Sequence, residues 1–149
     1  MIARDAAVVG AFLIVASRVH EKTSRRYRLE YLYPLGCSLV GLFIVGYAVQ
    51  LYRDQNETIA FVSNIPLGQL LQPIFCVVFV TAGLILASDN RDYIRTAAKG
   101  LIPMMMVVLV FVELDLKYWT GRREVEYWNH MYQLSKTIMV VSSLILVSL

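Results

Sequence analysis

Residues 65–88 read IPLGQLLQPIFCVVFVTAGLILAS, a stretch without one Asp, Glu, Lys or Arg. About 20 apolar residues in helical form cross the ~30 Å hydrocarbon core of a bilayer, so this segment is long enough to span one. A helix at the surface of a soluble domain would carry a polar stripe opposite its apolar face, and no charge is present here to form one.

Working outward, further apolar segments lie at 2–17, 31–52, 101–119 and 131–149. The charged residues gather between them, at 18–30, 53–64, 89–100 and 120–130. The chain is 58% hydrophobic and 17% charged, with a mean hydropathy of +0.58. Soluble domains carry about 25% charged residues. Five spans use nearly all of the 149 residues and leave no room among them for a soluble catalytic or nucleic-acid-binding domain. The expected fold class is all-α: a polytopic membrane protein forming one bundle of five transmembrane helices, or four if the first segment does not span. That segment is the shortest, has Arg4 and Asp5 near its start, and also reads as a signal peptide ending near Val15 and Ser17.

The basic residues set an expected orientation. Arg18, Lys22, Arg25, Arg26 and Arg28 lie in the first loop and Arg91, Arg95 and Lys99 in the third, whereas the second has Arg53 alone. The fourth loop has Arg122 and Arg123, with Lys117 at its edge. Loops rich in Lys and Arg stay on the cytoplasmic side, which puts the amino terminus outside and the carboxyl terminus inside. Tyr27, Tyr31, Tyr52, Tyr93, Tyr118, Trp119, Tyr127, Trp128 and Tyr132 lie near the expected helix ends, the depth preferred by rings with one polar edge. Asn56-Glu57-Thr58 is an N-glycosylation triplet in an outside loop, although such triplets are also common by chance.

Ionisable residues within a span cost about 2.5–3.5 kcal/mol each on insertion scales, so Glu113, Asp115 and Lys136 need partners or a purpose. At 1.5 Å per residue Glu113 lies about 20 Å above the inner edge and Lys136 about 9 Å below the outer one, which are matching levels in a ~30 Å core. An ion pair between Glu113 and Lys136 is expected from those levels, with Glu113 to Lys117 as a competing i,i+4 pair. Asp115 points about 200° away from Glu113 and is expected at the outer rim or against another chain. A static pair fixing helix register is the plainer reading; a proton or ion relay, or contact with a partner subunit, is the functional one.

Gln69, Gln72 and Cys76 form a polar stripe on the third span, with Pro73 among them. Pro73 offers no N–H to the carbonyl of Gln69, so a bend with a freed acceptor is expected. Such bends line substrate sites in transporters, but a single one is more simply structural. His20 and His130 fall at opposite faces of the bilayer and cannot ligate one centre within one chain; His130 is expected as a rim residue hydrogen-bonded near Trp128, Asn129 and Gln133, the alternative being a single ligand to a centre completed by a partner. Met104–Met106 face three directions on a helix, which favours packing over copper binding. Ala3, Ala7, Gly10 and Ala11 on the first span, and Cys37 and Gly41 on the second, suit a tight hairpin of these two helices.

The sequence holds no potassium-filter pentapeptide, Cys-x-x-Cys, His-Glu-x-x-His, phosphate-binding glycine loop or arginine ladder. No cofactor, metal site or catalytic cluster is therefore expected. The functional expectation is a non-catalytic accessory or structural subunit of a larger membrane complex, for example an energy-converting enzyme. Its partners would be membrane lipids and other integral membrane subunits, and not nucleic acid. The alternative is a small transporter or channel, active as a homo-oligomer, using Glu113, Asp115 and Lys136 with Gln69 and Gln72. An integral membrane enzyme is the third and weakest reading.

Overall fold

The computed structural model describes residues 2–21, 31–88, 90–115, 117–122 and 126–149. Within them every regular element is helical: α1 (Ile2–Glu21), α2 (Leu32–Arg53), α3 (Gln55–Asn64), α4 (Gly68–Leu86), α5 (Arg91–Val108) and α6 (Tyr127–Ser148). α5 runs on as a π-helical turn, Leu109–Glu113, and a second π-helical piece covers Lys117–Arg122. Four helices are long and apolar enough to cross a membrane: Leu32–Arg53, Gly68–Leu86, Arg91–Glu113 and Tyr127–Ser148. α1 contains a shorter apolar helix, Asp5–Ser17. The chain is an all-α, multi-pass integral membrane protein.

Two expectations about the loops are corrected. Segment 53–64 is not a loop but contains α3. Asp54 caps it by accepting the backbone N–H of Asn56 at 2.9 Å. Glu57, Ala60 and Phe61 are buried on one side, an i, i+3, i+4 face. The fourth span also begins well before 101, because Asn90 accepts the N–H of Asp92 and starts α5 at Arg91. Ile94, Ala98, Leu101, Met105 and Val108 face inward while Arg91, Arg95 and Lys99 stay exposed, so one helix serves both the basic rim and the bilayer.

The five long helices close a ring. α1 packs on α2, α2 on α4, α4 on α5, α5 on α6, and α6 returns to α1. Ile14, Val40, Ile44, Phe79, Leu101 and Leu144 are among the large side chains buried within it. Outward, Phe12, Leu42, Val77, Val110, Phe111 and Ile138 are exposed, as expected of faces solvated by lipid. Met105 is buried, Met104 half-buried and Met106 exposed, the three directions expected of that run.

α2 owes its central place to glycine. A Cβ on Gly36 would sit 2.8 Å from the carbonyl oxygen of Gly10, and one on Gly10 at the same distance from that of Gly36. The α1–α2 hairpin is thus as tight as expected, although Gly41 serves a different neighbour. A Cβ on Gly83 would lie 2.8 Å from the Gly41 carbonyl oxygen, and Gly41 meets the Gly83 carbonyl in return. Close backbone approach of this kind gives the dispersion contacts that drive helix association where no hydrophobic effect operates.

These contacts divide the bundle into two ends. The starts of α1, α4 and α6 share one end with α3 and the ends of α2 and α5. The other end carries the start of α5 and the carboxyl terminus, where Arg95 reaches the Leu149 carbonyl. Tyr52, Tyr127, Trp128 and Tyr132 are exposed at the first end and Tyr31 and Tyr93 at the second, the two aromatic levels expected of a membrane-spanning bundle. Trp119 departs from that belt and is buried. Tyr27 and the side chain of Tyr118 lie outside the described residues.

Candidate functional site

Glu57, Glu113, His130, Lys136 and Thr137 are buried at the α3 end, around the place where α5 changes pitch. In the π-helical turn the Leu114 N–H reaches back five residues to the Leu109 carbonyl, at 3.0 Å. Carbonyls in the last turn of a helix need donors from elsewhere. The indole Nε1–H of Trp119 donates to Val112 O at 2.8 Å, and His130 donates from Nε2 to Glu113 O at 2.7 Å. A carbonyl only accepts, so Nε2 carries a proton in this arrangement. The two rings stack, with centroids 5.2 Å apart and planes 19° from parallel. His130 is therefore an internal cap on α5, rather than a rim residue bonded near Trp128, Asn129 and Gln133.

The Glu113 side chain lies in the same knot. Its Oε1 accepts the Thr137 hydroxyl at 3.0 Å. That hydroxyl has one proton and is also 3.4 Å from Gln133 O; the shorter contact to a carboxylate is the stronger. Glu113, His130 and Thr137 are all buried, so α5 and α6 are joined by polar contacts withdrawn from lipid and water alike.

Lys136 does not pair with Glu113. Its ammonium donates to Asp5 in the first turn of α1 and lies 3.9 Å from the centroid of the Tyr132 ring. Depth and azimuth separate here. Glu113 meets Thr137, the residue next to Lys136, so the levels match; one residue turns a helix by about 100°, which points Lys136 at α1 instead. Asp5 also stands where the helix dipole favours negative charge. The side chain of Lys117, the competing partner proposed for Glu113, lies outside the described residues.

Asp115 accepts from Asn64 Nδ2 at 3.1 Å, fastening the end of α5 to α3 within the chain. It is half-buried at that end of the bundle. The stripe on α4 closes onto α2: Gln72 Nε2 donates to Leu51 O at 3.1 Å and to Thr58 Oγ1 at 3.2 Å, and Cys76 Sγ lies 3.7 Å from Ala48 O. Gln69 remains exposed. Thr58, the last residue of the glycosylation triplet, donates its hydroxyl to Leu51 O at 2.7 Å, while Asn56 is exposed on the first turn of α3. The side chain of His20 lies outside the described residues.

Of the six residues singled out in the sequence, the structure brings Glu113 and His130 into direct contact. Lys136, Asp115 and Gln72 are tied to α1, α3 and α2 respectively. Among the described residues no group of three or more His, Cys, Asp or Glu is arranged to hold a metal ion. Among the described residues the polar groups of this end cap helices and link one helix to another by hydrogen bonds.

The TMEM101 protein family matches residues 1–149. The chain belongs to that family. No solved structure matches it. For this TMEM101 family member the contributors that sequence reasoning missed are Asp5, Glu57, Asn64, Trp119 and Thr137. Two had a readable signal. Asp54 with Glu57 three residues on is the pattern of a helix start, and Asp5 is an opposite charge to Lys136 at a comparable depth in the first span.

Proposed function

We propose that this TMEM101 chain is a non-catalytic subunit that works by packing against other integral membrane proteins, with the amino terminus outside and the carboxyl terminus inside. The observation that carries the reading is the use of the span charges: Lys136 is taken up by Asp5, Asp115 by Asn64 and Glu113 by Thr137. Each contact joins two helices of the same chain. A conduit needs polar groups repeated along its length, whereas α5 below Glu113 turns Val108, Met105 and Leu101 inward. The outward faces of α4 and α5, with exposed Val77, Leu84, Val110 and Phe111, offer apolar surface for neighbouring spans.

Gentle detergent extraction followed by native mass measurement tests the reading. A stable complex with other membrane subunits supports it. A homo-oligomer without other subunits would instead support the small transporter or channel. For the orientation, single cysteines at Asn56 and Thr23 in a chain lacking Cys37 and Cys76 should label from outside and inside respectively. Reversed accessibility would reject it.

A further inference from the structure

Beside α3 the surface holds two shallow depressions of about 370 and 350 Å³. Thr58, Ile59 and Gln72 line both, so the two adjoin as lobes of one groove. Tyr52 and Gln55 complete one lobe and Val62, Ser63 and Gln69 the other. The groove lies where α2 ends and α4 begins, at the interfacial level of two spans.

Its polar chemistry is that of amides and hydroxyls, with no carboxylate, ammonium or guanidinium among the lining residues. The orientation of the Gln72 amide is fixed by its partners. Leu51 O can only accept, so the nitrogen lies at that end, and it serves both Leu51 O and Thr58 Oγ1. The carboxamide oxygen is left as the acceptor that Gln72 brings to the groove, and no donor for it is found among the described residues. A second acceptor follows from Pro73, which has no N–H for the Gln69 carbonyl. Gln69 and Pro73 are both exposed, and on the same side of α4 the next turn presents exposed Val77.

Acceptors lacking their own donors, at the level of lipid head groups and above an apolar track, call for a ligand that supplies a hydroxyl and a hydrocarbon body. A phosphate would find no cation among the lining residues. We infer that this groove binds a neutral lipid of the sterol type, its hydroxyl donating to Gln72 Oε1 or to the Gln69 carbonyl and its body lying along Pro73 and Val77.

The test places the whole chain in phosphatidylcholine nanodiscs with a photoreactive cholesterol analogue and maps the labelled peptides by mass spectrometry. Labelling should concentrate within 52–77 and be displaced by cholesterol, but not by phosphatidylserine. Ile59→Trp, which occupies the groove from an exposed position, should lower labelling roughly fivefold to tenfold, about 1 kcal/mol of binding, without lowering the unfolding midpoint. Gln72→Leu should act in the same direction. Labelling spread evenly over the outward faces of α1, α4 and α5, labelling unchanged by Ile59→Trp, or equal displacement by phosphatidylserine would each overturn the inference.

Discussion

The seam of α2 with α1 and α4 and the α3 end of the bundle are held together by opposite means. In the seam Gly10 meets Gly36 and Gly41 meets Gly83, backbone against backbone. At the α3 end the helices are tied by side chains: Trp119 and His130 to α5 carbonyls, Thr137 to Glu113, Asn64 to Asp115 and Lys136 to Asp5. Where an interface is dry and continuous, a missing side chain brings helices together. Where a helix must end or change pitch within the bundle, freed carbonyls call for donors, and polar residues collect.

The largest effect is expected in the glycine seam. Gly41→Ala would drive a Cβ against the Gly83 carbonyl and push α2 from α4, destabilising by about 1–3 kcal/mol in unfolding titrations from mixed micelles. Gly100 has nothing within 4 Å of its would-be Cβ. Gly100→Ala should therefore stabilise by about 0.5–1 kcal/mol, as expected for relief of glycine in a helix. Equal effects at the two positions would remove close backbone approach from the account.

At the α3 end the Asp5–Lys136 pair is asymmetric, with side chains 52% and 8% exposed respectively. Asp5→Ala strands a buried ammonium, whereas Lys136→Met leaves a carboxylate that water can reach. The first should cost more than the second, and the double variant should cost less than the sum of the two. A cycle without coupling would discard the pair.

His130→Phe keeps a ring to stack on Trp119 but deprives Glu113 O of its donor, and should cost about 1–2 kcal/mol. Loss of the stack alone would make His130→Phe neutral and His130→Ala costly, which the same titration distinguishes.

A further effect is expected at the turn joining α3 to α4. Gly68 N–H bonds Ile65 O at 3.0 Å, with Pro66 and then Leu67 between them, and Leu67 has φ 59°. That left-handed position suits glycine, yet the glycine is one residue later, where a Cβ would come within 2.6 Å of Val62 Cα. Leu67→Gly should therefore stabilise by about 1 kcal/mol, while Gly68→Ala destabilises.

The same contrast explains what could be read from the sequence. Crossing segments are local in origin, since length and hydropathy over about 20 residues decide them, and the apolar stretches were found where the long helices are. α3 was missed because it is short and polar on its outer side; its inward face, Glu57, Ala60 and Phe61, becomes evident only against α4 and α5. The levels of Glu113 and Lys136 followed from the helical rise. Their partners did not, because α6 turns one side to α5 and the next to α1, and that adjacency comes from ring closure. The π-helical turn has no sequence signal comparable to a cap, so the capping roles of Trp119 and His130 were not legible.

The central claim is that the charges of the last two spans are structural ties rather than a path. Reconstitution of the purified chain into lipid vesicles, with proton and cation flux followed beside protein-free vesicles, tests it most directly. The account predicts flux no greater than in the protein-free vesicles, for the natural chain and for Glu113→Gln alike. A specific flux in the natural chain that Glu113→Gln abolishes would contradict it.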